Sequence, residues 1–245
     1  LEIFTTENLI AFLTLAVLEI VLGIDNLVFI AIVSDRLKGA EASKARRTGL
    51  FFAVLVRLIF LSLVSFIVKL KKPIFSLYGV ELSWKSLILL AGGLYLLVKS
   101  TLEIYKKVEL VGETEGAHLK SSATFWSVVA NIVFIDIIFS VESVITAVGL
   151  VNNLIIMGSA VIVAVLVMIA FVDQISSFIQ KHASLKLLAL AFLVLIGVLL
   201  IAEGTGFHFP RGYVYFSMAF AFIVQLLNIR YEEKVKQKKV KIEGA

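Results

Sequence analysis

The sequence predicts an all-α membrane protein of seven transmembrane helices, built as an inverted-topology repeat of three plus three helices with an additional seventh helix. Three observations carry this reading. Apolar residues make up 60% of the chain and charged ones 17%, with a mean hydropathy of +1.02, far from the roughly 45–50% apolar and 25% charged composition of soluble domains. Apolar windows of about 20 residues, the length that crosses the hydrocarbon core as a helix, recur near 8–33, 46–69, 83–104, 125–150, 154–176, 184–203 and 212–229. They are solidly apolar and lack the period-2 alternation of a transmembrane barrel. Finally, two acid-bearing stretches, LEIVLGIDNLVFIAIV from Leu18 and IDIIFSVESVITAVGL from Ile135, align without a gap at an offset of 117. Glu19 falls on Asp136, Asp25 on Glu142, Asn26 on Ser143 and Gly23 on Ser140. Because a unit of three spans is odd, the second copy enters the membrane from the opposite side, an arrangement that builds sites at the midplane.

The spans justify themselves in order. The first begins after Glu2 and Glu7 with no Lys or Arg, unlike the basic start of a signal peptide, and is expected to be retained. It holds Glu19, Asp25 and Asn26 with no basic partner in reach along the chain. A charge near a bilayer centre costs at least about 2.5–3.5 kcal/mol, so such residues line a site or pair within the bundle. The second span carries Arg57 at its middle, which must face the interior and neutralise part of the acidic cluster, as a structural ion pair or as a gate. In the third, Gly92 and Gly93 permit close helix packing, and Lys99 beside Tyr95 is read as an interface residue. The polar loop from Tyr105 to Ser122 is long enough to link repeat one, 8–104, to repeat two, 125–203. The fourth span repeats the acids of the first. Asp173 near the end of the fifth is an interface or capping residue, and the sixth echoes the third, with Glu203 and Glu103 closing helices that begin near Lys186 and Lys85. The seventh, 212–229, with Gln225 and Asn228 near its end, completes a single transmembrane domain over 1–229. Residues 230–245 form a basic tail expected to be frayed or disordered.

Lys and Arg set the orientation. The tail, the first loop around Arg36 to Arg47, the third loop and the fifth together hold 17 of them, against five on the other side, which predicts the N-terminus outside and the C-terminus in the cytoplasm of a bacterial inner membrane. The net charge of +5 then needs no nucleic acid; the basic residues lie where anionic lipid and the positive-inside rule place them, without interleaved aromatics for base stacking. Absent cysteines exclude disulfides and thiolate metal sites. No nucleophile motif, phosphate loop or cofactor fingerprint appears, so neither an enzyme nor an organic cofactor is expected. His118, His182 and His208 fall in loops or at helix ends and are not read as ligands.

Glu19 and Asp25 are six residues apart, about 240° around a straight helix and about 9 Å along it. They share a site if the helix unwinds near Gly23, or if each acid meets one from the other repeat; Ser140 at the position matching Gly23 favours the latter. With an axis near Leu22 and Phe139, Asp25 levels with Asp136 and Glu19 with Glu142, in two acidic layers, one of them in reach of Arg57. Carboxylates, the Asn26 amide and the Ser143 hydroxyl are hard oxygen ligands for magnesium, calcium or manganese. The alternative is protonated acids that only hydrogen-bond between helices.

LEIVLGIDNLVFIAI, ARRTGLFFAVLVR, LILLAGGLYLLVKS, DIIFSVESVITAVGL and PRGYVYFSMAF together resemble the TerC family of integral membrane proteins over nearly the whole chain, in its short form without appended cytoplasmic domains. The resemblance implies a duplicated three-helix transporter exporting a manganese-type divalent cation through Asp25, Asn26, Asp136, Glu142 and Ser143, by alternating access and with protons as a candidate counter-ion. Glu142 stands where the family's second motif commonly has aspartate. The family also implies a rival, a non-transporting membrane partner that assists metalation or insertion of other proteins. Tellurium oxyanion resistance is a weaker alternative, since Arg57 stands amid four acids. A homo-oligomer stays open.

Overall fold

The computed structural model describes residues 5–63, 73–77, 80–109, 124–151, 153–207 and 209–243. Seven helices are formed by these residues: α1 (Thr6–Ser34), α2 (Gly39–Ser62), α3 (Trp84–Val108), α4 (Phe125–Leu150), α5 (Leu154–Lys181), α6 (Ala183–Gly204) and α7 (Arg211–Glu243). Hydroxyl and amide side chains open several of them. Thr5, Ser83 and Thr124 each accept a hydrogen bond from the backbone N–H three residues on, and Asn153 accepts from Ile155 and Ile156, satisfying donors that a helix start leaves without partners. Such caps matter more near lipid, where water is scarce.

Six helices are long and apolar enough to cross a membrane; the exception is α2, whose Lys44, Arg46, Arg47 and Arg57 break up its described part. Two features were not legible from hydropathy. A short antiparallel hairpin, β1 (Pro73–Leu77) with β2 (Val80–Ser83), pairs Phe75 with Leu82 and Ser76 with Glu81 between α2 and α3. The basic tail expected to fray instead continues α7 to Glu243. Lys, Glu and Gln are good helix formers, and extending an existing helix avoids the cost of nucleation.

The helices pair across the repeats. α1 lies along α5 and α2 along α4, while α3 lies along α6. If α1, α2 and α3 correspond to α4, α5 and α6, the first two pairings are images of one another and the third is its own image, as a two-fold relation requires. Backbones touch where α3 crosses α6: a Cβ on Gly93 would lie 2.6 Å from the Gly197 carbonyl oxygen, and one on Gly197 2.9 Å from the Gly93 oxygen. Gly23 is likewise a packing point. α1 runs through it without a break, and a Cβ there would stand 2.5 Å from the Met168 sulfur on α5. The unwinding considered at this glycine is therefore absent. The outward faces stay apolar, with Leu9, Ile10, Leu166, Phe171, Phe216 and Phe220 exposed, as a lipid-facing surface demands. α7 packs mainly on α6 and is little buried.

Candidate ion site

Arg57 organises the centre of the bundle. α2 carries it inward, 2% exposed, because a guanidinium cannot face hydrocarbon cheaply. Its Nη1 donates to Glu19 Oε2 of α1 at 2.6 Å and its Nη2 to Asp136 Oδ1 of α4 at 2.6 Å, while Nε lies 3.2 Å from both Asp136 oxygens. One planar cation thus ties the first helix of each repeat to the second helix of repeat one. Planar, forked donors suit two carboxylates at once in a way a lysine could not.

The Asp136 carboxylate has further partners. Asn26 Nδ2 donates to Asp136 Oδ1 at 3.2 Å, and Ser140 Oγ to Asp136 Oδ2 at 3.0 Å. Ser143 Oγ donates to the Ser140 carbonyl oxygen at 3.5 Å. Ser140 entered the sequence reading only as the match to Gly23; its spacing of four from Asp136, one helical turn on the same face, was the signal for its role.

The expected site residues divide accordingly. Glu19, Asn26, Asp136 and Ser143 come together around Arg57. The side chains of Asp25 and Glu142 lie outside the described residues. The expectation that Arg57 reaches an acidic layer is met and exceeded: Glu19 and Asp136, assigned to different layers, are bound by the same guanidinium. Two-layer depth was reckoned from helix rise alone, and an arginine head with two terminal nitrogens bridges part of that separation. Among the described residues no group of three or more acidic, His or Cys side chains forms a metal cage. The oxygen donors are instead two carboxylates, an amide and hydroxyls. His182 sits between α5 and α6 against the Phe178 carbonyl, away from this centre, and His118 and His208 lie outside the described residues.

One atom here has no partner among the described residues. Asn26 is 4% exposed, and its Oδ1 is buried without a hydrogen bond among the described residues. A buried amide oxygen without a partner costs about 1–3 kcal/mol, so its place calls for a ligand. Asn26 lines two spaces. One small space also touches Leu22, Arg57, Phe139, Ser143 and Tyr215, and a second touches Phe29, Ala53, Ile132 and Asp136. Leu22 and Tyr215 also border an apolar cleft along the first half of α1, with Leu13, Val17 and Thr146. The charged centre therefore borders both small spaces, one through Arg57 and the other through Asp136.

At the other end of the bundle, where α1, α3 and α5 finish, ion pairs join the helices. Asp173 of α5 accepts from Arg46 Nε and Nη2 at 2.9 and 2.7 Å, from Arg47 Nη2 at 2.8 Å and from Ser43 at 2.8 Å, and Arg46 also donates to Ser34. Asp35 pairs with Lys186 and Arg36 with Glu103. Lys99 donates to the Tyr95 hydroxyl, which donates to Asn131. The first-loop arginines, counted in the sequence only as topological charges, thus also bind α1 and α2 to α5 and α3, and Asp35 adds the link to α6.

Comparison with known proteins agrees with this architecture. The family model described as integral membrane protein TerC family matches residues 4–240. The UPF0053 inner membrane protein YgdQ of Escherichia coli K12 is 44% identical over 90% of this chain and 92% of its own length. A UPF0053 protein of Haemophilus influenzae is 43% identical over 94% and 97%. The UPF0053 inner membrane protein YoaE of Escherichia coli K12 is 46% identical over 88% of this chain, which spans only 42% of YoaE. No solved structure matches. With a family match across almost its entire length and relatives of the same extent at this identity, the chain belongs to the TerC family of integral membrane proteins.

Proposed function

We propose that this protein is a transporter of the bacterial cytoplasmic membrane that exports a hard divalent cation, with Mn²⁺ favoured, by alternating access through the centre built on Glu19, Asn26, Asp136 and Ser143, with Asp25 and Glu142 completing the ligand set. The observation that carries it is the buried, unpartnered Asn26 oxygen beside two carboxylates from the two repeats. Oxygen donors without sulfur or imidazole suit Mn²⁺, Mg²⁺ and Ca²⁺ rather than zinc or copper. Helices paired across the two repeats suit a midplane site approached from one side at a time. Carboxylates that exchange metal for protons would make the process a proton antiport.

A second reading has its own observation. Arg57 already satisfies both described acids, as in a permanent structural network, and such a bundle could serve as a non-transporting partner in metalation or insertion of other proteins. Purified protein in liposomes loaded with a metal-quenched dye separates the two. The transporter reading expects Mn²⁺ flux above that of empty liposomes, with weaker or no flux of Zn²⁺. No protein-dependent flux of Mn²⁺, Mg²⁺ or Ca²⁺ would favour the partner role.

A further inference from the structure

Building on the transport reading, we infer that Arg57 is a tethered surrogate for the transported ion: it occupies the carboxylates in the described state, and a divalent cation binds only when its guanidinium swings away. Three observations converge. The guanidinium donates hydrogen bonds to Glu19 Oε2 and Asp136 Oδ1, each at 2.6 Å, and those oxygens are the hardest ligands of the centre. Beside them, Asn26 keeps its amide oxygen empty while its NH₂ group holds Asp136. An acceptor left open next to two acceptors filled by an arginine is a ligand set partly blocked. Third, Arg57 lines one space together with Asn26 and Ser143, so its head and the open amide oxygen border the same gap.

Charge makes the exchange reasonable. Counted as ions, Glu19, Asp136 and Arg57 leave one net negative charge, and a divalent cation in the arginine's place leaves none between these two acids, so the ion gains one more unit of attraction than the arginine has. Without any cation the two buried carboxylates would face each other unpaired, which is costly in a water-poor interior. A resident arginine removes that cost whenever the ion is absent, so the empty protein can change conformation. It also weakens ion binding, since apparent affinity falls by the fraction of time the site is free. That reduces retention of the ion and favours its release.

The test is Mn²⁺ binding, by calorimetry, to the full chain in nanodiscs. Arg57→Ala is expected to bind Mn²⁺ at least about tenfold more tightly than the wild type, given that minor states are populated at about 0.1–10%. Millimolar guanidinium should compete with Mn²⁺ in Arg57→Ala and have no such effect on the wild type, because the free ion refills the vacated place. Should Arg57→Ala fail to assemble, Arg57→Lys decides, since an ammonium cannot span both carboxylates: tighter binding than wild type supports the exchange. Equal or weaker Mn²⁺ binding in a folded Arg57 variant, with the wild type still binding, overturns the surrogate role alone. No Mn²⁺ binding by wild type or variants removes the cation cargo and this inference with it.

Discussion

Removing different polar groups from the centre should separate folding from ion binding. Asp136→Asn takes away the partner of two Arg57 nitrogens and leaves a buried cation half-paired, a loss of about 3–5 kcal/mol for a broken buried pair. Asn26→Ala removes one hydrogen bond to Asp136, about 1 kcal/mol, and also the partnerless buried oxygen, whose burial costs a similar amount, so the two offset. Thermal unfolding in detergent should therefore fall sharply for Asp136→Asn and stay near the wild type for Asn26→Ala, while Mn²⁺ binding weakens in both. Unaltered Mn²⁺ binding by Asn26→Ala would remove the amide oxygen from the ligand set. Arg57 was legible in the sequence, because a lone cation in mid-span must turn inward. Its double grip was not, because which carboxylates an arginine reaches depends on how far apart three helices stand, and spacing along one chain holds no such distance.

For the helices, the sequence read α1, α3, α4, α5 and α6 closely, since unbroken apolar length is the property that membrane insertion selects. The β1–β2 hairpin escaped because it is four to five residues per strand, beneath any hydropathy window, and α7 outran its apolar stretch because helix propensity, not hydropathy, sets where it stops. Gly92 and Gly93 were read together as packing residues, and they serve different neighbours: Gly92 faces Ile138 of α4, Gly93 the backbone of α6. Gly93→Ala should push α3 from α6, costing about 1–3 kcal/mol as overpacking does. Gly149→Ala has nothing within 4 Å to strike and should stay within about 0.5 kcal/mol of the wild type. Equal melting temperatures for the two variants would show that the α3–α6 contact is looser than described.

Across the whole molecule, the offset of 117 between the acidic stretches implies two related copies, and the helix pairings fit such a relation, α1 with α5 and α2 with α4. What the repeat could not supply is its asymmetry. Arg57 on α2 has no counterpart at the centre among the described residues of α5, where Asp173 and its arginines gather at one end instead. Basic residues at that end predict that it is cytoplasmic. In this cysteine-free chain, Asn152→Cys should react with an impermeant maleimide added outside intact cells, and Glu113→Cys only after the membrane is opened. The reverse pattern would invert the export direction.

The central claim is that hard-cation flux passes through repeat-related acids rather than merely depending on a folded bundle. Asp25 and Glu142 test it best, since the described bonds of Arg57 go to Glu19 and Asp136, and replacing the other two acids leaves that network its partners. The measurement is Mn²⁺ flux in proteoliposomes holding equal amounts of wild type or Asp25→Asn with Glu142→Gln, each confirmed to unfold at a similar temperature. The account predicts flux from the wild type and none above empty liposomes from the double variant. Wild-type flux retained by the double variant would contradict it.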